Sequence, residues 1–331
     1  MTERAPRRPA RDPFGIIPAG GPLAPVLALG GLVIVAIVSL GLLGGRLPVV
    51  PGAGGNGGPP PTAAPSDKIV PQDKAATVPG TFVYAKAGSI WLQQGSNVTR
   101  LTNGSNDSMP RFAPDGKRVY FVRTEMRQAS APLQGVITVT LAVPLLMSIP
   151  TDGSATAKQI ASGAYTFSGG RYGWFYWIRQ PTPSPDGSTL AVVSDGPDPF
   201  PGHVYRDVVL QTMPADGGRM TVANASESSP LGHQDPAWRP DGKAIAYTKN
   251  ARDQGSARGA PAIWLYNVTS RRASAITGPG YEAPSWSPDG RYIAATRTGA
   301  NGTDVAIVDA RTGAEVAKLT NDGASWSPVW S

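Results

Sequence analysis

The chain has no cysteine and only two histidines, His203 and His233, among its 331 residues. The first absence excludes a disulfide framework, a thiol nucleophile, a cysteine-based metal site and a lipid-modified N-terminal cysteine. The second leaves little for a histidine-built metal centre, because the two fall in different segments without carboxylates at ligand spacing. Charged residues make up only 16% of the chain, and no basic stripe is interleaved with aromatics, so nucleic acid is not an expected partner. There is no Gly-x-Ser-x-Gly elbow, no phosphate-cradling loop and no dinucleotide fingerprint. No catalytic residue, metal or cofactor is assigned, and the chain is expected not to be an enzyme. Strong helix-forming runs are scarce, whereas glycine (40) and proline (34) are abundant. That balance favours an all-β architecture rich in turns.

The one long run without charge lies near the N-terminus. Leu23 to Leu43 matches the ~20 apolar residues that cross a bilayer core. Arg4, Arg7, Arg8 and Arg11 precede it and account for part of the formal charge of +7. The excess of arginine before the span places residues 1–22 in the cytoplasm and everything beyond it outside. A cleaved signal peptide is the alternative, but its apolar core is shorter, about 7–15 residues, and Leu47-Pro48-Val49-Val50-Pro51 is a poor cleavage site. Residues 44–79 are glycine- and proline-rich with few large apolar side chains, the composition of a spacer. The expectation is a single-pass protein of the cell membrane carrying an extracytoplasmic domain over residues 80–331.

Within that domain one phrase recurs four times: Ala113-Pro114-Asp115-Gly116, Ser184-Pro185-Asp186-Gly187, Arg239-Pro240-Asp241-Gly242 and Ser287-Pro288-Asp289-Gly290. Proline presets φ at the second turn position, aspartate tolerates the next, and glycine takes the left-handed one. An aromatic residue stands two places before the proline in three copies (Phe112, Trp238, Trp286). An apolar run follows each glycine, at Val119–Val122, Leu190–Val193, Ile245–Tyr247 and Tyr292–Ala295. Strand, tight turn, strand at a recurring interval predicts a propeller or a related array. Five further hairpins are legible at Ile90–Leu101, Leu145–Ile160, Val208–Val222, Ile263–Ile276 and Val305–Leu319. Together they give four-stranded antiparallel blades, five by count, with a sixth possible between Gly116 and Gly187. Ser327-Pro328-Val329-Trp330-Ser331 aligns with Ala283-Pro284-Ser285-Trp286-Ser287. It is therefore expected to supply the inner strand of the blade begun by Phe82–Ala85, closing the ring.

The Pro-Asp-Gly turns, the tryptophans before them with Trp330, and the endings Leu101-Thr102 and Leu319-Thr320 resemble the TolB-like β-propeller family, within the WD-type repeat superfamily. The resemblance covers roughly residues 80–331. It implies an extracytoplasmic protein-interaction platform, with the membrane span and spacer in place of the domain that precedes the propeller in TolB.

The insertions at 124–142, 161–179, 194–206 and 249–262 fall on the face opposite the tight turns, where binding residues tend to be placed. Tyr165, Phe167, Tyr172, Trp174, Phe175, Tyr176 and Trp177 crowd into one of them beside Arg171 and Arg179. Large aromatics suit peptide and carbohydrate surfaces, although Phe175 and Trp177 equally fit the start of a packed strand. Arg179, Asp235 and Glu282 lie five or six residues before a turn proline, near the channel entrance. The candidate ligand-binding set is Arg171, Tyr172, Trp174, Tyr176, Arg179, His203, Arg206, Asp235, Arg258 and Glu282. The apolar run Val136–Ile149 reads as one long strand. The expected function is binding of a protein, peptide or glycan in the cell envelope, with the membrane engaged through the N-terminal helix alone. The alternative is a propeller enzyme, lactonase- or lyase-like, with its site at the channel mouth.

Overall fold

The computed structural model describes residues 78–331, apart from 105, 133–134, 197–207, 225–231, 251–259 and 331. The predicted tail, membrane span and nearly all of the spacer lie outside the described residues. Among the described residues no helix is long and apolar enough to cross a membrane.

The domain is all-β. A first sheet holds β1 (Val78–Lys86), β2 (Ser89–Gly95) and β3 (Asn97–Arg100). The second holds β4 (Asp107–Phe112), β5 (Arg118–Pro132), β6 (Val136–Pro150) and β7 (Lys158–Ser162). A separate hairpin follows, β8 (Ala164–Phe167) and β9 (Tyr172–Phe175). The third sheet holds β10 (Ile178–Pro183), β11 (Thr189–Ser194), β12 (Val209–Pro214) and β13 (Thr221–Val222). The fourth holds β14 (His233–Trp238), β15 (Ala244–Lys249), β16 (Ala262–Asn267) and β17 (Arg272–Ala275). The fifth holds β18 (Tyr281–Trp286), β19 (Tyr292–Gly299), β20 (Gly302–Asp309) and β21 (Glu315–Lys318). In every sheet the strands are antiparallel neighbours in chain order, the pattern of propeller blades. The first strands adjoin one another in succession, β4 beside β1, β10 beside β4, β14 beside β10 and β18 beside β14.

The four repeated phrases join β4 to β5, β10 to β11, β14 to β15 and β18 to β19. In each, the glycine N–H donates to the carbonyl three residues back at 2.9 Å (Gly116 to Ala113, Gly187 to Ser184, Gly242 to Arg239, Gly290 to Ser287). The glycine φ values lie between +67° and +71°, a region that excludes most side chains. Each aspartate Oδ1 accepts the N–H two residues on, from Lys117, Ser188, Lys243 and Arg291 at 3.0 Å.

In the four-stranded sheets the second strand carries an uninterrupted apolar run because both of its faces are covered. Leu190 and Val192 of β11 pack toward the second sheet with Tyr120, Leu146 and Ile160, while Ala191 packs toward the fourth with Ile245 and Tyr247. Ala246 then turns to the fifth sheet, against Trp286, Ile293 and Ala295. Each large side chain so buried contributes about 1.5–3 kcal/mol.

Three polar devices fix the sheets, one between blades and two within them. Trp238 Nε1 donates to Thr182 O at 2.9 Å, and Trp286 Nε1 to Ala237 O at 3.0 Å, each reaching the preceding blade. The Leu-Thr endings cap the outer strands: Thr102 Oγ1 accepts Ile90 N–H, and Thr320 Oγ1 accepts Val305 N–H, both at 2.9 Å. Asp107, whose side chain is wholly buried, takes both Arg123 Nε (2.7 Å) and Nη2 (2.9 Å).

Two expectations concern the number of blades and the closure of the ring. Among the described residues the interval between Gly116 and Gly187 holds no sixth four-stranded sheet. It is filled by the distal halves of β5 and β6, which pair continuously from Arg118–Pro150 to Pro132–Val136, and by the β8–β9 hairpin. Pairing of the C-terminal segment with the first sheet is not seen among the described residues. The first sheet has three strands, and no strand among the described residues pairs with Ser327–Trp330. That segment nonetheless has the form of an inner strand. Ser327 has φ +50°, like Met109, Gln180, Asp235 and Ala283, each directly before a proline. Its N–H donates to Thr296 Oγ1 at 2.8 Å, as Ala283 N–H does to Thr248 Oγ1 at 2.9 Å. Its polar contacts thus run to hydroxyls of the fifth sheet rather than to β1. Phe82 is 46% exposed, whereas Val119, Leu190, Ile245 and Ile293 at the matching position are 0% exposed.

Candidate functional site

The insertion at 124–142 is not a loop but a β-arm. Register pairs stand on one face of a two-stranded ladder, so Ala131 and Ile137, Ala129 and Val139, and Arg127 and Leu141 share a face. Leu141 and Val143 on that face are buried, with Val139 and Ala129 packed beside them. The cover is the β8–β9 hairpin, which lies across the arm through β9. A Cβ built on Gly173 would stand 3.0 Å from Ala129 Cβ, so a glycine is needed for this approach. Gly163 donates to Pro144 O (2.8 Å) and Gly163 O accepts from Tyr176 N–H (2.9 Å), fixing where the hairpin leaves the blade.

The hairpin register pairs Tyr165 with Trp174 and Phe167 with Tyr172. Alternation puts these residues on the face opposite Gly173, but the Trp174 ring stacks on Phe175 at 6.1 Å and packs with it against the cluster that includes the arm. The other three form a connected surface with Tyr176: Phe167 and Tyr172 centroids are 5.4 Å apart, Tyr165 and Phe167 6.2 Å, and Tyr165 and Tyr176 stack at 5.9 Å. All are half-buried. Arg171, exposed at the hairpin turn, places its guanidinium 5.3 Å from the Tyr172 ring. This is cation–π range.

Of the predicted residues, Arg171 and Tyr172 thus come together, joined by Tyr165 and Phe167, whereas Trp174 is committed to Phe175 and the core. Tyr176 is partly committed to the core, packing against the cluster of Ile178, Leu190 and Val192. Burial raises its phenol pKa, and the charge of Asp195 adds to the effect. Arg179 lies 5.0 Å over Trp177. Phe175 and Trp177 meet edge to face at 5.2 Å. Phe175 belongs to β9 and packs against the arm. His203, Arg206 and Arg258 lie outside the described residues.

Asp235 and Glu282 belong to a different place, the inner strands of the fourth and fifth blades. They do not stand at equivalent positions. Glu282 pairs with Thr296 as Gln234 pairs with Thr248, whereas Asp235 is the bulged residue, matching Gln180 and Ala283. Its carboxylate accepts from Gln180 Nε2 (2.6 Å) and Thr248 Oγ1 (3.2 Å), and its N–H donates to Gln180 Oε1 (2.9 Å). These bonds tie the inner strands of the third and fourth blades together. Burial raises the Asp235 pKa, partly offset by Thr248, Gln180 and the charge of Arg111. Burial also raises that of Glu282, with the Asp235 charge second. Among the described residues no group of three His, Asp or Glu could hold a metal ion. His233 is a core residue whose Nδ1 accepts Leu210 N–H at 2.9 Å.

No family model and no curated protein matches the chain. Solved structures similar to it include TolB from Acinetobacter baumannii, 20% identical, covering 73% of this chain and 53% of that one, with a TM-score of 0.48. A Mycobacterium tuberculosis puromycin-hydrolysing peptidase is 16% identical over 71% of this chain and 36% of that one, TM-score 0.48. Oligogalacturonate lyase from Vibrio parahaemolyticus is 13% identical over 72% of each chain, TM-score 0.42. The chain thus spans about half of the TolB chain and about a third of the peptidase. The expectation that the chain is not an enzyme is corrected here. Enzymes and TolB both stand among the similar structures, so this architecture does not separate a binding protein from a catalyst.

Proposed function

We propose that the chain binds a polypeptide or glycan of the cell envelope through the outward face of the β8–β9 hairpin. The carrying observation is that Tyr165, Phe167 and Tyr172 share that face while Trp174, Phe175 and the approach of Gly173 already pack the hairpin on the arm. A two-stranded hairpin needs one apolar face to dock. A second face of three rings exceeds what docking requires and supplies rigid contact area at low entropy cost. Arg171 at its edge adds a cation suited to a carboxylate. In the same reading, Leu23–Leu43 anchors the protein as a single-pass span, residues 1–22 are cytoplasmic, and residues 44–79 hold the propeller off the outer surface. Ser327–Ser331 is then the inner strand of the first of five blades. The supports for this closure are the inner-strand form of Ser327 and the exposure of Phe82.

The test uses the full-length protein in detergent, with pull-down from envelope extract and co-sedimentation with isolated cell-wall glycan. Truncating a central aromatic costs about 2 kcal/mol or more at a binding hot spot. Tyr172→Ala combined with Phe167→Ala should therefore weaken capture by more than about tenfold. Lys117→Ala and Lys243→Ala, beside the tight turns, should leave it intact. Loss with the lysine variants and retention with the aromatic ones would place the site on the other face. Capture of neither ligand by the wild type would refute the proposal.

A further inference from the structure

The outer edge of β6 is covered only near the blade. Strand β7 pairs with Leu145–Ser148, and the last backbone bond along this edge is Gly163 N–H to Pro144 O. Because the Pro144 carbonyl points to that edge, alternation sends the N–H and C=O groups of Ala142, Thr140, Thr138 and Val136 the same way. Among the described residues no strand pairs with them. At about 3.3 Å per residue, Val136–Val143 offers about 25 Å of open edge. Edges of this kind are ordinarily blunted by charge, proline or a bulge. Val136–Val143 has no charged residue and no proline, and its register with β5 is unbroken. The neighbouring strand differs, since β5 carries the ion pair of Glu125 and Arg127 at 2.7 Å.

We propose that two copies of this chain associate by antiparallel pairing of this edge, β6 against β6, about a two-fold axis at Val139. The sequence of the edge matches itself in that register. Thr138 falls opposite Thr140, Ile137 opposite Leu141 and Val136 opposite Ala142. Every residue whose backbone groups point outward meets another of the same kind, so the ladder hydrogen bonds form without a slip. Threonine meets threonine and aliphatic meets aliphatic, the favourable cross-strand combinations, and no like charges oppose. Pairing covers Val136 and Ile137, which are 55% and 42% exposed. The two arms then form one four-stranded sheet. A two-fold axis normal to that sheet sets both aromatic hairpins side by side on one face. This inference is independent of what the hairpins bind.

The experiment is sedimentation of the full-length protein in detergent, together with cysteine cross-linking. The wild type should sediment as a dimer. Val139 would face its own counterpart in a non-hydrogen-bonded pair, with Cα atoms about 4.5 Å apart, within the ~4.4–6.8 Å range of disulfides. The chain has no cysteine of its own, so Val139→Cys should link two chains under mild oxidation, whereas Val136→Cys should not. Thr138→Lys with Thr140→Lys sets lysine opposite lysine and should weaken the dimer at least about tenfold. Thr138→Lys with Thr140→Glu sets lysine opposite glutamate and should restore it. Both threonines are exposed, so the two threonine double variants should melt as the wild type does. A monomeric wild type overturns the proposal, including one that instead takes up a foreign strand at this edge. So does a dimer that ignores the charge pattern and does not cross-link at position 139.

Discussion

Gly173→Ala is a direct probe of how the aromatic hairpin is seated. The new Cβ would lie 3.0 Å from Ala129 Cβ, where carbon atoms in contact prefer about 3.5–4.0 Å. Strand β9 must then retreat from the arm by roughly half an ångström to an ångström. Overpacking of this kind costs about 1–3 kcal/mol. Against it stands a gain of about 0.4–1 kcal/mol, because alanine restricts the unfolded chain more than glycine does. The φ of Gly173 is outside the left-handed region, so no backbone strain enters. The net expectation is a loss of about 0.5–2 kcal/mol, read from urea unfolding followed by tryptophan fluorescence. Ala129→Gly removes the obstructing carbon. In that background Gly173→Ala should cost nothing or stabilise by up to about 1 kcal/mol. The sign of the effect therefore depends on the partner, as contact between the two positions requires. An equal effect of Gly173→Ala in both backgrounds would refute the packing of hairpin on arm.

Asp107→Ala should cost about 3 kcal/mol in chemical unfolding, because it strands the Arg123 guanidinium beside a buried site. A cost under about 1 kcal/mol would show that the pair carries little. Trp286→Phe removes the bond to Ala237 O and should lower stability by about 1 kcal/mol beyond the change in ring size, seen as a lower Tm. An unchanged Tm would contradict a tie between the fourth and fifth blades. Asp235 has its pKa raised in the folded state above the ordinary 3.8, so the native protein holds that proton more tightly than the unfolded chain. Stability from this group is then full below pH 3.8 and declines as pH rises through the folded pKa. Asp235→Asn should flatten that decline in a series of unfolding curves, and an unchanged pH slope would refute it.

What was legible in the sequence follows from how strictly each feature constrains residue type. The Pro-Asp-Gly turns demand particular φ values at three consecutive places, so their strands and the five blade-like sheets could be phased directly. The tryptophans before them were visible, but their reach to a carbonyl of the preceding blade is a tertiary fact. The second strand of the arm reads as a strand, but its partner beyond Thr124 does not, because Glu125 and Arg127 interrupt its pattern. The signal was present in Val136-Ile137-Thr138-Val139-Thr140-Leu141, an alternation of period two. The hairpin had its signal as well, Ser168-Gly169-Gly170 between aromatic residues, a glycine-rich turn flanked by strand formers. Counting back from the turn proline sets Asp235 beside Arg179 and Glu282. Counting from the inner prolines Pro181, Pro236 and Pro284 aligns it with Gln180 and Ala283 instead.

The arm and the hairpin explain each other. A two-stranded ribbon running out from a blade cannot hide Val139, Leu141 and Val143 by itself, and isolated hairpins are marginal in water. The chain covers that face with Phe175, Ala164 and the close approach of Gly173. This requirement accounts for the inward half of the aromatic insertion without any ligand. It does not account for Tyr165, Phe167 and Tyr172, which point the other way, nor for Arg171 over the Tyr172 ring. If the hairpin served only as cover, polar substitutions on its outer face should be neutral, as most surface changes are, within about 0.5 kcal/mol. Phe167→Ser with Tyr172→Ser separates the two roles. Unchanged stability with lost capture assigns the outer face to binding, and a large loss of stability with capture intact assigns it to the fold.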